Sequence, residues 1–526
     1  MEINTGKKDF SNLKVVFFLE TQDNPLYYQY VYAIARKIQI DSGNLKVLIL
    51  EERLTRKSFL SFVRFLKRKK CQSTFASDLK QNLGVDVEIR PLGRSVGVRR
   101  ELVRRKINQA KTAIDLVGLF PESKYLGAAL HSFFCSALSM SSDPLFQVRK
   151  YRGALQEVAI KFLEYQDIAQ DVLRKAPFDL VMFTNGRTPE QAVFKEYAES
   201  ESVPWLCLEH GARPGETYFL ENFQTQDRVN TQALIKGTFD ELTITLIDQL
   251  KLEFEDWRLK QENDPKHNPT LAFRSNSESQ LLSPGILPVF TSSIDEEMSC
   301  PGWSLDNVRN LTEKTIHLCS EASGMGWDPV VVIHPNTLNK RWHDLSFLMA
   351  ELKKHGVKVA LPWDPVSSYQ YVKESELVVT WRSTIGLEAI IKGKCLLTLS
   401  DTTYDELLDL RNADQLVARG HLTSCGYSDN EIFLAKFVIY FYAHFGYDLF
   451  EDLDENDLKI MREYEKILPL GSLYKSIRNK IRKFYRPLLI YSASPKEFVT
   501  FLQMFMPRKT ITPVMYFLAK IYQFRN

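Results

Sequence analysis

Four stretches of the sequence place hydrogen-bonding or charged side chains directly behind a short apolar run. In VVVIHPNTLNKR the run ends at His334-Pro335, and Lys340 and Arg341 follow. An imidazole near cations at a strand end suits a phosphate: histidine can donate a hydrogen bond or a proton to a leaving oxygen, and the cations offset its charge. A structural histidine with satisfied hydrogen bonds has the same local signature. In LVVTWRSTIGLEAIIKGKCLLTL the run ends at Thr380, the turn carries Arg382, Ser383 and Thr384, and a helix opens at Ile385 or Gly386. Ser383 or Thr384 would cap that helix, whose N–H groups and dipole attract an anion. Glu388, about one turn inside, either accepts hydrogen bonds from a ribose diol or answers the helix dipole.

The other two stretches are FDLVMFTNGRTPEQAVFKEYAESESVPWLCLEHGARPG and ILPVFTSSIDEEMSCPGW. The former holds two consecutive strand ends, Asn185-Gly186-Arg187 and Glu209-His210-Gly211, with Arg213 beyond. Each pairs a glycine, which permits close backbone approach, with groups that donate, accept or carry charge. A tight turn before a capped helix start explains Asn185 equally well. The latter ends in Thr291-Ser292-Ser293, hydroxyls that take a phosphate or cap the next turn. Asp295, Glu296 and Glu297 follow without a second acidic cluster at fixed spacing, so no metal site is read from them.

These side chains need strands to hold them. Short β-rich apolar runs alternate with longer helical patterns, the signature of parallel α/β layers. Strands are expected at 14–20, 46–51, 85–90, 178–183 and 204–209, then at 286–292, 329–334, 357–363, 377–380 and 395–399. Residues 99–175 carry no strand pattern and read as a helical insertion. The polar stretch 264–283, with its Pro and Asn residues, reads as a linker. The expected division is an N-terminal Rossmann-like domain over 1–263, the linker, a second Rossmann-like domain over 284–430, and a helical basic extension over 431–526. In doubly wound sheets ligands bind beyond the carboxyl ends of the strands, where all four stretches lie.

The chain of 526 residues is 44% hydrophobic, enough for full cores and against a disordered polymer. Lys+Arg 68 against Asp+Glu 65 leaves a formal charge of only +3, so a basic partner site must be local and a nucleic-acid-coating chain is excluded. Local excess does occur, at 53–70, 94–111 and above all in 471–526, where eleven Lys/Arg face the single Glu497 among aromatic and aliphatic residues. An anionic membrane surface attracts such a segment by about 1 kcal/mol per basic residue, although a solvated helical face has the same composition. Seven cysteines without a CxxC pair fit a reducing compartment. No run of ~18 uncharged apolar residues is present, and the N-terminus reads as the approach to the first strand, so a cytoplasmic chain is expected, peripheral at the inner membrane face.

The order Asn-Gly-Arg, Glu-x-Gly, strand-Ser-Ser-x-Asp-Glu, strand-His-Pro and Ser-Thr-x-Gly-x-Glu-Ala resembles the capsule and surface polysaccharide biosynthesis proteins. These are GT-B-type glycosyltransferases similar to the bacterial Kdo and polyglycerol phosphate transferases. The likeness covers roughly residues 178–400 and is strongest at His334-Pro335 and Arg382–Ala389. It implies two Rossmann-like domains with a nucleotide-sugar (a CMP-, UDP- or GDP-sugar) held mainly by the second. His334, Ser383 and Thr384 would then meet the donor phosphate and Glu388 the ribose, with Ser292, Ser293, Lys340, Arg341 and Arg382 around them. Glu209, with His210 as competitor, would act as base on an acceptor lined by Asn185, Gly186, Arg187, Gly211 and Arg213. The resemblance implies no tightly bound cofactor and no required metal, because helix dipoles and cations stabilise the departing nucleotide.

Glycosyl transfer to a surface glycan or glycolipid is therefore the leading expectation. A nucleotide-sugar 2-epimerase shares the architecture and a His-Pro-Asn strand end, matched here by His334-Pro335-Asn336. A polyol phosphate transferase or a non-catalytic assembly protein would use this scaffold as well.

Overall fold

The computed structural model describes residues 10–20, 25–51, 59–91, 97–134, 148–175, 177–184, 186, 188–210, 216–224, 227–243, 245, 247–248, 250–252, 254–255, 282–292, 306–334, 352–361, 366–408, 427–444, 447–448, 450 and 453–467. Its strands are β1 (Lys14–Glu20), β2 (Asn44–Glu51), β3 (Asp86–Pro91), β4 (Leu180–Thr184), β5 (Trp205–His210), β6 (Glu216–Glu221), β7 (Ile286–Phe290), β8 (Asp328–Val332), β9 (Lys358–Ala360), β10 (Leu377–Thr380), β11 (Cys395–Thr398) and β12 (Tyr447–Asp448). The helices are α1 (Pro25–Ile40), α2 (Phe59–Leu83), α3 (Gly97–Gln109), α4 (Leu126–Ser132), α5 (Arg152–Lys175), α6 (Pro189–Ser200), α7 (Arg228–Asp240), α8 (Asp306–Gly324), α9 (Ser368–Glu374), α10 (Ile385–Ile391), α11 (Asp405–Leu408), α12 (Asp429–His444) and α13 (Glu455–Ile467).

Two sheets result, in the orders β12-β6-β5-β4-β1-β2-β3 and β11-β10-β7-β8-β9. Strands β1 to β5 are mutually parallel, as are β7 to β11. Counted from its own first strand, each parallel set has the order 3-2-1-4-5, so the chain leaves the middle of each sheet in one direction and then reverses. That is the doubly wound α/β arrangement expected from the sequence, with switch points between β1 and β4 and between β7 and β10. Helices on both faces bury the central strands completely, which is why Val15–Leu19, Leu180–Thr184 and Ile286–Phe290 are buried runs rather than alternating ones. Helix α1 answers with Tyr28, Val31, Tyr32, Ala35 and Ile38 on one buried stripe. Pro288 sits in a central strand without cost to the β10 ladder, because β7 pairs with β10 only at Val289 and Phe290.

The described residues between β3 and β4 include α3, α4, α5 and short 3-10 turns, the helical insertion expected over 99–175. It is pinned to α6: Ser123 Oγ donates to Glu196 at 2.5 Å, and the Tyr125 hydroxyl bonds Glu199. His131 on α4 is fully buried, and burial pushes its imidazole down to about 4.

Two strands are not foreseen in the sequence. β6 follows β5 antiparallel without an intervening helix, and β12 pairs antiparallel with β6. Within the stretch assigned to a C-terminal extension, 431–526, β12 joins the first sheet and α12 packs on α10 beside the second. Phe433 and Phe437 of α12 meet Phe239 of α7, whereas α13 lies on α1 and α2. There Tyr32 donates to Asp457 at 2.9 Å, Tyr464 to Asp78 at 3.0 Å, and Gln29 Nε2 to the Met461 carbonyl at 3.1 Å. The spacing of Asp457, Met461 and Tyr464 at i, i+4 and i+7 makes one buried stripe. The basic segment 471–526 and most of the linker lie outside the described residues.

Two outcomes are expected. Tyr464→Ala, which removes a fully buried ring packed on Tyr28 and Phe75, should lower unfolding stability in urea by about 3–5 kcal/mol. Because folded His131 resists protonation, the unfolded chain takes up its proton first as pH falls. Stability present above about 6.5 is then lost progressively down to about 4, by up to about 3 kcal/mol. The urea midpoint of His131→Gln should be flatter than that of the unaltered protein over this window.

Candidate functional site

The side chains with chemistry gather at the carboxyl end of the second sheet, around its switch point. The ladder from β10 to β7 closes with the Trp381 N–H on the Phe290 carbonyl at 2.9 Å. One residue further along, a side chain replaces the backbone: the Arg382 N–H donates to Ser292 Oγ at 2.9 Å. On the other side of β7 the pattern repeats. Thr291 N–H donates to the Val332 carbonyl at 3.0 Å, and the next donor, the His334 N–H, goes to Thr291 Oγ1 at 2.8 Å. The two hydroxyls after β7 thus extend both flanking ladders by one bond and fix where the chain departs from β8 and β10. With one acceptor position of Ser292 committed to Arg382, its hydroxyl keeps its proton and a second acceptor position for a ligand.

Arg382 is half-buried. Its Nε donates to Ser400 Oγ at 2.9 Å, and Ser400 Oγ donates to the Trp381 carbonyl at 2.9 Å. Burial, and to a lesser extent the charge of Arg228, push the guanidinium down, while Asp401 and Asp405 pull it up. Trp381 is buried, with its indole N–H on the fully buried Thr315 Oγ1 at 2.8 Å, so the residue before Arg382 is anchored in α8.

The turn into α10 is tighter than a capped helix start. Thr384 occupies the N-cap but its side chain makes no capping bond; Ser383 Oγ accepts from the Ile385 N–H at 3.4 Å. The N–H groups of Ser383, Gly386 and Leu387 go to Thr380 Oγ1, the Ser383 carbonyl and the Thr384 carbonyl. Early N–H groups that the sequence offered to an anion are therefore spent within the chain, and the side chains of this turn carry more of any ligand contact. Gly386 is required for packing: a Cβ there would lie 2.8 Å from the Tyr404 hydroxyl and 2.9 Å from Leu396 Cδ2. That hydroxyl donates to the Ser383 carbonyl at 2.7 Å. Glu388 lies half-buried in the first turn of α10.

In the first sheet, Glu209 and His210 end β5 opposite Tyr218 and Thr217 of β6, and Glu209 is half-buried. Gly186, at φ +70°, turns the chain after the neighbouring β4. A Cβ there would approach Gln224 Oε1 to 3.2 Å, and that oxygen accepts from the buried Lys195 Nζ at 3.0 Å. Lys195 in turn lies 3.8 Å from the centre of the Tyr125 ring. The turn is thus braced from below. Asn185, Arg187, Gly211, Arg213, Ser293, Asp295, Glu296, Glu297, Lys340 and Arg341 lie outside the described residues.

Of the expected residues, Ser292, His334, Arg382 and Ser383 are brought to one end of one sheet, with Thr384 and Glu388 on the adjoining turn and helix; Gly186 and Glu209 end neighbouring strands of the other. Sequence reasoning misses Trp381, Ser400, Asp401 and Tyr404. Asp401 and Ser400 follow β11 directly, so the strand-end rule applied to 395–399 would have found them. Arg228, whose guanidinium lies 3.4 Å from Asp401, belongs to α7 and has no local sequence signal.

No protein-family model and no curated protein matches the sequence. Among solved structures, the chain is similar to the beta Kdo 2,4 transferase KpsC of Thermosulfurimonas dismutans, at 14% identity over 50% of this chain and 80% of that one, with a TM-score of 0.34. It is also similar to the UDP-GlcNAc 2-epimerase of Neisseria meningitidis bound to UDP-GlcNAc (12% identity, 81% of this chain and 98% of that one, TM-score 0.29). A glycosyltransferase from Rickettsia africae matches at 9% identity over 87% of this chain and 99% of that one, with a TM-score of 0.24. The α/β assignment rests on the two sheets themselves. Among the described residues no helix is long and apolar enough to cross a membrane.

Ser400→Ala removes both the acceptor of Arg382 Nε and the donor to the Trp381 carbonyl. A loss of about 1–3 kcal/mol is expected in urea unfolding.

Proposed function

We propose that the protein is a glycosyltransferase that holds a nucleotide-sugar at the carboxyl end of its second sheet and passes the sugar to a surface polysaccharide or glycolipid. One observation carries this reading: Ser292, His334, Arg382 and Ser383 follow the neighbouring strands β7, β8 and β10 at one end of the sheet, on backbone tied by the Thr291, Ser292 and Thr380 hydroxyls. Donors there suit the departing nucleotide phosphate. Arg382 supplies a permanent cation on half-buried backbone, where a charge interaction is screened less than in bulk water. The Ser292 hydroxyl and the His334 side chain add directional donors, and Glu388 on α10 accepts from a ribose diol.

In the transfer itself, a carboxylate takes the proton of the acceptor hydroxyl as the sugar–phosphate bond breaks, and the strand-end cations hold the charge left on the nucleotide. Glu209 is the candidate base and His210 its competitor. The acceptor is placed against Gly186 and the turn it forms, and the inner membrane surface against the basic segment 471–526.

The test begins with thermal shifts of the purified full chain against CMP, UDP, GDP, CDP and their sugar conjugates. A ligand at ~100 times its dissociation constant should add about 2.7 kcal/mol of stability. His334→Ala and Glu388→Ala should each weaken donor binding about tenfold or more, equivalent to about 1.4 kcal/mol, while the proteins stay folded. Nucleotide release that requires added glycan or glycolipid identifies a transferase. Conversion of a UDP-sugar to its epimer without acceptor identifies the 2-epimerase instead. Absence of any nucleotide shift from a folded sample moves the assignment to a non-catalytic assembly protein.

A further inference from the structure

Asp401, just past β11, is paired with a guanidinium group from the other half of the chain. Arg228 of α7 places NH2 3.4 Å from Asp401 Oδ2. Arg382, after β10, feels both of these charges. The other acidic group near Arg382, Asp405, is engaged locally, accepting from the Thr402 N–H at 2.7 Å and from the Thr402 hydroxyl. One permanent cation is therefore paired with this exposed carboxylate, and a second feels its charge, at the strand end proposed for the donor phosphates. The pair is weakly held: the Arg228 side chain is 32% and the Asp401 side chain 65% exposed, and exposed single-contact ion pairs contribute little. A phosphate offers an arginine fork two oxygens and more charge, and it wins such an exchange.

Building on the nucleotide-sugar reading, we propose that Arg228 is a phosphate ligand of the donor site: Asp401 holds it in the ligand-free chain, and the donor's diphosphate displaces Asp401 and binds Arg228 together with Arg382. The arrangement gives the bound donor a grip on the first half of the chain. Arg228 opens α7, whose far end carries Phe239 against Phe433 and Phe437 of α12. Asp227 caps the same helix, its side chain accepting from the Asn230 N–H at 3.2 Å, so the arginine projects from a fixed first turn.

Two substitutions break the same ion pair and separate ligand from strut. Calorimetric titration of the full chain with UDP, GDP, CDP and inorganic pyrophosphate is the measurement. Arg228→Gln should weaken binding by about tenfold or more, and Arg228→Lys should recover only part of it, because a lysine lacks the planar fork. Asp401→Asn should tighten binding, because it removes the competing carboxylate. If both Arg228→Gln and Asp401→Asn weaken binding alike, the pair is a structural clasp and the proposal fails. Equal nucleotide affinity of Arg228→Gln and the unaltered protein also overturns it, while leaving the nucleotide-sugar reading intact. Pyrophosphate binding that depends on Arg228, without binding of any nucleotide, upholds the anion site and removes the nucleotide reading. Binding of none of these ligands by the unaltered protein overturns this proposal, and it overturns the nucleotide-sugar reading as well when CMP and its sugar conjugates also give no thermal shift.

Discussion

Where a parallel sheet reverses its winding, two neighbouring strands send their chains to opposite faces, and the ladder between them must stop. At β7 and β10 the last backbone bond is Trp381 to Phe290, and the next N–H would face an open gap. Ser292 closes it with a hydroxyl, and Thr291 does the same toward His334 on the other side. These two substitutions of side chain for backbone determine where Arg382 and His334 stand. Both bonds give a part-buried N–H its partner, so the hydroxyls serve the fold as well as any ligand. Anchoring of Trp381 in α8 and of Arg382 on Ser400 then makes the strand end a rigid platform.

The first sheet is arranged differently. Its switch-point turn is held from beneath by Gln224 and the buried Lys195, and the helical insertion leans on α6 through Glu196 and Glu199. Burial of Lys195 is tolerated there because it is hydrogen-bonded to Gln224 and lies against the Tyr125 ring. A strand-end turn of the first sheet is thus braced by packed side chains, and the strand ends of the second by hydroxyl hydrogen bonds.

All ten parallel strands among the described residues are legible in the sequence, because a strand covered on both faces must be a continuous apolar run bounded by turn residues, as in Val15–Leu19 or Leu377–Thr380. The site was legible to the extent that it follows those runs: His334, Arg382 and Ser383 each come within three residues of a strand's end. What escaped the sequence depended on distant partners. β6 and β12 gain their strand character only by pairing with β5 and with each other. Ser292 reads as either ligand or cap until the Arg382 N–H is seen upon it. Arg228 and Asp401 are separated by a whole sheet in sequence, and nothing local to α7 marks its arginine as facing the other half of the chain.

The return of α13 to α1 and α2 has a consequence for how the protein is made. Gln29 bonds a carbonyl 432 positions later in the chain, and the Tyr28 and Phe75 rings find Tyr464 only after the entire second sheet has been synthesised. The first sheet emerges from the ribosome first but stays open along one helical face until nearly the last of the described residues arrives. Such long-range closure slows folding and leaves apolar surface exposed during translation. The earliest-made half of the molecule is therefore among the last parts to be finished.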